Sequence, residues 1–187
     1  PLYFDNDYPN PRTRDTVTDV TFPTTLAEYK SRKQAFKEGY SKGLKGEKKI
    51  MAEYEIERFF EIEMDTSYQQ FLEFTTAVYK RLQRNRSVTI KVQAYTSPLA
   101  SSNYNWNLSK RRINSMENFY RRYDNGGMAK FIDNGMLKIE LIPFGESLAP
   151  KYISDNPNDR RNSVYGLEAS RQRRVEIIQV EAKRSLP

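Results

Sequence analysis

Cysteine and histidine are both absent from this chain of 187 residues, and each absence excludes particular kinds of chemistry. Without cysteine there is no disulfide, no thiolate nucleophile and no cysteine-ligated zinc. Without histidine the Ser-His-Asp triad, the commonest general base and most transition-metal sites are excluded. No glycine-rich phosphate loop or EF-hand spacing occurs either. The sequence therefore implies neither a metal nor another cofactor.

Long hydrophobic runs are also lacking, since no stretch approaches the roughly 18 apolar residues of a membrane-spanning helix. Hydrophobic residues make up 37% of the chain and aromatic residues 13%, which is sufficient for a packed core. The length predicts a single domain over residues 1–187. The chain starts at Pro1 without an initiator methionine or a signal peptide, so we expect an excised piece whose export signal or lipid anchor lies upstream.

Positive charge is in excess, with 31 lysine and arginine residues against 24 aspartate and glutamate residues and a net charge of +7. A basic balance is compatible with nucleic acid, an anionic membrane surface or an acidic polymer as partner, and also with a merely solvated surface. The positions of the charges along the chain therefore say more about the partner than the net charge does.

Hydrophobic periodicity predicts an alternation of strands and helices. Apolar residues at every second position predict strands, and apolar residues at intervals of three and four predict helices. The strands are expected over 2–4, 60–65, 88–94, 137–141 and 174–178, and the helices over 25–42, 68–82, 105–123 and 166–172. A polar, turn-rich loop is expected over 146–165. This order predicts an α+β fold in which helices pack on one face of a mixed β-sheet.

One arginine interrupts the apolar stripe of the third predicted helix. Arg112 lies four residues after Leu108 and four before Met116, so it occupies the stripe itself, whereas Arg111 fits a solvent-facing charge. Asn105 lies on the same side, nearer the start of the helix. A guanidinium in apolar surroundings needs a partner. That partner is an internal ion pair, water reached by snorkelling, or a ligand carboxylate clamped near the helix N-terminus.

The segment from Asn105 to Ile113 resembles the N-x2-L-S-x2-R-A signature of OmpA-like C-terminal domains, which bind peptidoglycan. Further segments resemble motifs of the same family in the same order: the first strand Leu2 to Asp7, the strand Val88 to Thr96, the turn Gly145-Glu146-Ser147 and the last strand Arg171 to Ile177. The run 95–100 and the Arg111-Arg112 pair are similar to the Bacteroidetes variant. Such domains often end outer-membrane lipoproteins, some of them linked to type IX secretion.

The resemblance implies a βαβαβ sandwich that binds peptidoglycan without catalysis. Such a module would be periplasmic and associated with the outer membrane, and it would anchor an outer-membrane protein or lipoprotein to the cell wall. Its partner would be a stem peptide containing diaminopimelate, whose side chain ends in a zwitterion. Other outer-membrane or secretion components would be further partners.

Matched positions in the family motifs imply the residues of the ligand site. The implied roles are Arg112 as the carboxylate clamp, Asn105 and Thr96 as orienting groups, Asp7 as a polar group after the first strand, and Arg173 or Arg174 as a second cation. Because neighbouring residues of a strand point to opposite faces, only one of these last two arginines can line the groove.

The sequence departs from the family pattern at Ser97, where the family has an aspartate. Ser97 cannot pair with an ammonium as a charge, so Asp5, Asp7 or another acid supplies that role, or the ammonium is bound more weakly, or the ligand differs. The segment 12–56 is longer than the usual family link. We interpret it as an inserted helical segment that covers a sheet edge or docks another domain. A flexible tail is expected over 181–187.

A basic nucleic-acid-binding domain is the alternative function. Arginine, lysine and aromatic residues are interleaved over 118–123, and 160–174 is rich in arginine. However, Phe119, Tyr120 and Tyr123 also fit a core-facing helical stripe, which favours cell-wall binding without nucleic acid.

Paired carboxylates leave a third reading, an enzyme. The two pairs, Glu61 with Glu63 and Asp5 with Asp7, would each lie on one face of an extended strand. Such pairs can hydrolyse glycosidic bonds at a suitable separation. The pattern around Glu61 is more typical of the solvated side of an alternating strand, so we expect a protein that is not an enzyme.

Overall fold

A computed structural model describes residues 1–96, 101–142, 153–154 and 156–184. Its strands are β1 (Leu2–Tyr3), β2 (Arg86–Tyr95), β3 (Leu137–Leu141) and β4 (Arg174–Arg184). Its helices are α1 (Phe22–Ser31), α2 (Lys33–Ser41), α3 (Gly46–Arg58), α4 (Met64–Gln83), α5 (Ser102–Arg122), α6 (Ala129–Asp133), α7 (Arg160–Ser163) and α8 (Leu167–Gln172), and a π-helical turn (Phe59–Glu63) joins α3 to α4. Within these ranges no helix is both long and apolar enough to cross a membrane.

The strands form one mixed sheet in the order β1-β4-β2-β3. β4 runs antiparallel to both β1 and β2, whereas β2 and β3 are parallel, with Val88 opposite Leu137. A parallel pair needs a crossover connection, and here α5 and α6 lie between β2 and β3 in the chain. The α+β class with a mixed sheet, expected from the sequence, is confirmed.

Alternation along β2 separates the buried side of the sheet from the more accessible side. Val88, Ile90 and Val92 are fully buried, and they belong to one hydrophobic core with residues of α4 and α5. Lys91 lies between them in sequence and pairs with Glu181 of β4 at 2.7 Å. Burial of these β-branched side chains against two helices fixes the register of the central strand.

The strand predicted over 60–65 is wrong, because α3, the π-helical turn and α4 form one continuous helix. The structure buries Phe59, Phe60 and Met64, whereas Ile62 remains 54% exposed. A π-helical turn places residues five apart on the same side, so Phe59 and Met64 both reach the core. The alternation at Phe60, Ile62 and Met64 resembles a strand because the apolar Ile62 lies on the exposed side of the helix, while Phe60 and Met64, four residues apart, are both buried.

The inserted segment 12–56 is part of the core. Phe22 and Tyr29 of α1 and Phe36 of α2 are fully buried, and the ring of Phe22 lies 5.3 Å from that of Phe4, which follows β1. The single helix predicted over 25–42 is two helices, since α1 ends at Ser31 and Arg32 separates it from α2. These contacts make the insertion a structural element of the domain.

The prediction of a flexible tail from residue 181 is wrong for its first four residues. β4 continues to Arg184, and the residues from Glu181 onward pair with the first half of β2, where Ala182 lies opposite Val88. Hydrogen bonds of the antiparallel ladder thus hold four residues of the expected tail.

Candidate functional site

Arg112 of α5 is fully buried and donates hydrogen bonds to three main-chain carbonyl groups. Its Nε reaches Tyr8 O at 3.1 Å, Nη1 reaches Tyr95 O at 3.0 Å and Nη2 reaches Asp5 O at 3.2 Å. The planar guanidinium has donors in several directions, so one side chain can join the segment after β1 to the end of β2.

This geometry corrects the expectation that Arg112 offers an open clamp to a ligand. Among the described residues no carboxylate forms an ion pair with its guanidinium either, because its partners are carbonyl oxygens. Burial lowers the pKa of Arg112 to about 9, and the nearby charge of Arg173 adds to the effect. The side chain is therefore still charged at neutral pH, and it holds the loop after β1 in place.

That loop is a tight turn from Asp5 to Tyr8, in which Tyr8 N donates to Asp5 O at 3.3 Å. Asp7 has a φ of 64°, in the left-handed region that the third residue of such a turn requires and that aspartate tolerates. Arg112 binds the carbonyl groups at both ends of the turn. The sequence correctly predicts a strand end followed by a turn. The structure shows in addition that Arg112 holds this turn in place.

Arg111, which the helical stripe places among solvent charges, is also fully buried. Its Nη1 donates to Thr13 O at 2.9 Å and to Asp15 O at 2.7 Å, and its Nη2 lies 3.7 Å from Asp7 Oδ1. The start of the inserted segment covers this face of α5. A helical pattern cannot reveal burial by a distant segment, so the expectation for Arg111 is wrong.

Arg173 and Arg174 lie in different surroundings. Arg173 is fully buried and its Nη2 donates to Val164 O at 2.8 Å. The guanidinium of Arg174 lies 4.0 Å from the ring centre of Tyr95, and its Nε pairs with Glu176 at 2.6 Å. Both arginines are therefore bound within the protein, and neither belongs to the described lining of the cleft that follows.

An open cleft of about 680 Å³ lies against the turn after β1. Its polar lining consists of Asn6, Asp7, Tyr8, Arg12, Arg32 and Arg160. Arg12 lies at the start of the inserted segment, Arg32 lies at the junction of α1 and α2, and Arg160 is the first residue of α7. We call this surface the arginine cleft.

The arginine cleft carries an excess of positive charge. Within the described ranges, neither Arg12 nor Arg160 has a carboxylate partner; Arg160 Nη2 contacts Tyr165 OH at 3.2 Å. Arg32 is ion-paired with the buried carboxylate of Asp5. Among the described lining residues, the cleft therefore presents two guanidinium groups without an ion-pair partner beside one accessible acid, Asp7.

Asp7 is held in a fixed orientation. Its Oδ1 accepts a hydrogen bond from Tyr104 OH, and its Oδ2 accepts one from the main-chain N–H of Arg12 at 2.8 Å. A carboxylate oxygen has two acceptor positions, so both oxygens can accept a further donor such as an ammonium. Of the described residues of the expected site, Asp7 alone lines the arginine cleft.

The other predicted site residues lie elsewhere. Asn105 is in the first turn of α5, where its main-chain N–H donates to Ser101 O at 2.9 Å. Thr96 is half-buried directly after β2. Neither belongs to the described lining of the arginine cleft, and Ser97 lies outside the described residues.

Sequence reasoning missed Arg12, Arg32 and Arg160. Arg12 and Arg32 lie in the inserted segment, to which the family motifs do not extend. The available signals were weak: a cluster of basic residues beside Pro11, and the Arg160-Arg161 pair. Only the fold brings these three positions together around Asp7.

Comparisons with protein-family models, with curated proteins and with solved structures find no match for this chain. In the part of the chain that the structure covers, no group of three or more acidic residues is suited to a metal ion. The chemistry of the arginine cleft therefore has to be argued from its own charges.

Proposed function

We propose that this protein binds the stem peptide of peptidoglycan without catalysis and so anchors an outer-membrane protein or lipoprotein to the cell wall in the periplasm. The observation that carries the proposal is the arginine cleft, in which Arg12 and Arg160 lie beside Asp7. The diaminopimelate side chain ends in a carboxylate and an ammonium. Guanidinium groups bind carboxylates through paired charge-assisted hydrogen bonds, and Asp7 supplies the opposite charge for the ammonium.

In this proposal Arg112 positions the binding loop. Its bonds to Asp5 O and Tyr8 O enclose Asn6 and Asp7, which both line the cleft. The proposal extends to an OmpA-like sandwich, which the β1-β4-β2-β3 sheet and the placement of Arg112 after β2 support. The acid that the family carries at the position of Ser97 is then replaced by Asp7.

Nucleic-acid binding has less support, because most of the basic residues that suggest it have partners within the protein. Tyr120 is fully buried, and Arg121 pairs with Glu117 and Asp133 at 3.0 and 2.7 Å. Arg171 and Arg174 are likewise paired with glutamates. A phosphate-binding surface needs several free cations in a row.

Catalysis by paired carboxylates also has little support. Glu61 lies 2.5 Å from the ammonium of Lys33, and Glu63 lies 2.6 Å from Arg171. The two glutamates sit on the π-helical turn instead of a strand. Asp7 accepts hydrogen bonds from Tyr104 OH and from the main-chain N–H of Arg12, and Asp5 is buried against Arg32. A buried, ion-paired Asp5 cannot act together with Asp7 as a pair of catalytic carboxylates.

Calorimetric titration with a stem peptide containing diaminopimelate tests the proposal. The variant Arg12→Gln/Arg160→Gln should bind at least about tenfold more weakly, since each charge-assisted bond contributes more than 1 kcal/mol. The matched control is Arg84→Gln/Arg86→Gln, which removes two exposed charges elsewhere. Equal binding by the cleft variant and the wild type would refute the proposal, as would an equal loss in the control.

A further inference from the structure

A second cleft, of about 410 Å³, lies beside the arginine cleft at the start of α5. Its lining consists of Arg14, Ser101, Asn103, Tyr104, Trp106 and Asn107. We call it the Trp106 cleft. The family motifs assign no role to this surface, and the proposed function does not use it.

We propose that the Trp106 cleft binds a pyranose sugar, so that the protein holds the glycan and the stem peptide of the same peptidoglycan unit. This inference rests on the proposed function and adds the sugar to its ligand. Trp106 is 38% exposed, and Lys110 Nζ lies over one face of its ring, 5.0 Å from the ring centre. The exposed part of the indole is an aromatic surface against which the apolar C–H face of a sugar ring can pack.

The groups around Trp106 match the hydroxyl and acetamido groups of a sugar. Asn103 and Asn107 each have an amide that both donates and accepts, and Ser101 has a hydroxyl that does the same. Asn107 Nδ2 donates to Arg14 O at 2.9 Å, which fixes the orientation of that amide. An apolar surface with a few placed polar groups is the usual composition of a small-molecule site. The described lining contains one cation, Arg14, which suits a neutral polyol better than a polyanion.

The two clefts meet at a pair of hydrogen-bonded side chains, Tyr104 and Asp7. Tyr104 lines the Trp106 cleft, and its hydroxyl donates to Asp7, which lines the arginine cleft. Behind this pair lies the fully buried Arg111, whose guanidinium is 5.6 Å from the ring centre of Tyr104 and 3.7 Å from Asp7 Oδ1. Its Nη2 has no hydrogen-bond partner among the residues described, and its charge attracts Asp7. Arg111 thus holds Tyr104 and Asp7 in place, and the two clefts have a defined relative position.

Two adjacent sites with different chemistry favour a ligand that carries both chemical groups. In peptidoglycan the peptide is covalently attached to a sugar of the glycan. When one group is bound, the second binds at a high effective concentration. A disaccharide-peptide should therefore bind more tightly than the same peptide alone.

The chain contains a single tryptophan, so its fluorescence reports directly on this cleft. Three probes separate the contributions: a peptide-free N-acetylglucosamine–N-acetylmuramic acid disaccharide whose lactyl carboxylate is capped as a neutral amide, a free diaminopimelate-containing stem peptide, and the disaccharide joined to that peptide. We expect the disaccharide to change the emission of the wild-type protein, and the joined probe to bind at least about tenfold more tightly than the free peptide.

Variants assign the effect to the cleft. By calorimetry, Trp106→Ala should bind the joined probe no more tightly than the free peptide, while its affinity for the free peptide is unchanged. Trp106→Phe keeps an aromatic ring and should recover part of the loss. Tyr54→Ala, which removes an exposed aromatic ring on α3, is the matched control and should behave as the wild type.

The outcomes distinguish this inference from the proposed function. No emission change with the disaccharide and equal affinities for the joined probe and the free peptide would overturn the sugar site and leave the peptide site intact. Binding of the disaccharide without binding of the free peptide would overturn the proposed function and support the sugar site. Unchanged binding of the joined probe by Trp106→Ala would also overturn the sugar site.

Discussion

Arg112 Nε donates a hydrogen bond to Tyr8 O at 3.1 Å, between residues that lie 104 positions apart in the chain. With the bond from Nη2 to Asp5 O, it fixes both ends of the turn that carries Asp7. A buried charge is costly unless it is hydrogen-bonded, and here the main chain provides the acceptors. The same residue therefore stabilises the fold and shapes the surface proposed to bind the ligand.

Replacing Arg112 should destabilise the whole domain as well as its ligand site. Arg112→Met keeps much of the volume but removes the Arg112 donor from one buried carbonyl group, Asp5 O, and from two partly buried ones, so we expect a loss of about 3 kcal/mol in the free energy of unfolding. Arg112→Lys should lose less stability than Arg112→Met, because the lysine ammonium can still donate to some of the three carbonyl groups. Urea denaturation measures both variants, with Arg84→Met as an exposed control. Full stability combined with lost peptide binding would instead make Arg112 a direct ligand contact.

Local sequence patterns predicted most elements of the fold. The strand at 137–141 and the helices around Phe71 and Met116 have a clear period of two or of 3.6 residues, and the structure contains them. The strand expected at 60–65 is wrong because Ile62 is an apolar residue on the exposed side of a helix, which gives this helical segment an apparent period of two. Periodicity identifies the buried side of an element only where the apolar residues are in fact buried.

The candidate site was less predictable, because its residues meet only through the tertiary structure. Arg112 was identified from its place on an apolar stripe, but its partners Tyr8 and Tyr95 are main-chain carbonyl groups, which no residue type signals. Arg12 lies in a loop and Arg160 begins the short helix α7, and no repeating pattern in the sequence links these distant positions. Asp7 alone could be found from sequence, since it follows the first strand.

Asp5 gives the stability a pH dependence of unusual sign. Its carboxylate is buried beside Arg32, and burial raises its pKa above the ordinary value of 3.8, although Arg173 and Arg32 oppose this. The folded state then holds the proton more tightly than the unfolded state. The contribution of Asp5 to stability therefore falls as pH rises from about 3.8 through the raised pKa. Glu57, whose pKa is lowered by Lys37, acts in the opposite direction.

The Asp5→Asn variant isolates this contribution. We expect the free energy of unfolding of the wild type, minus that of the variant, to decrease between about pH 3 and about pH 7, because acids common to both proteins cancel in the difference. Urea denaturation at each pH provides the two values. An increase over this range would mean that the ion pair with Arg32 outweighs burial.

The ion pair between Glu63 and Arg171 joins the π-helical turn to α8. Arg171 Nη2 and Nε reach the two carboxylate oxygens at 2.6 and 3.1 Å, which is the paired arrangement that favours arginine. Because both side chains are partly exposed, we expect Glu63→Gln to cost about 0.5–1 kcal/mol. Glu61→Gln, which loses a single contact with Lys33, should cost less. Urea denaturation compares the two, and an equal loss would contradict the importance of the paired geometry.

Gly39 of α2 controls the position of an arginine in the cleft. A Cβ at this residue would overlap the ring of Tyr165, and Tyr165 in turn contacts the guanidinium of Arg160, whose carbon lies 5.5 Å from the ring centre. Alanine adds about 1 kcal/mol of helix propensity, but overpacking costs about 1–3 kcal/mol, so the clash should prevail. We expect Gly39→Ala to lower stability by about 1 kcal/mol and to weaken stem-peptide binding by moving Arg160.

A double-mutant cycle tests whether Gly39→Ala acts through this ring. In the background of Tyr165→Ala the clash is absent, so Gly39→Ala should gain helix propensity and become neutral or stabilising, with no further loss of peptide binding. Denaturation and calorimetric titration of the four proteins give both quantities. An equal loss of binding in both backgrounds would show that α2 influences the cleft by a route independent of Tyr165, because the two substitutions would then be additive.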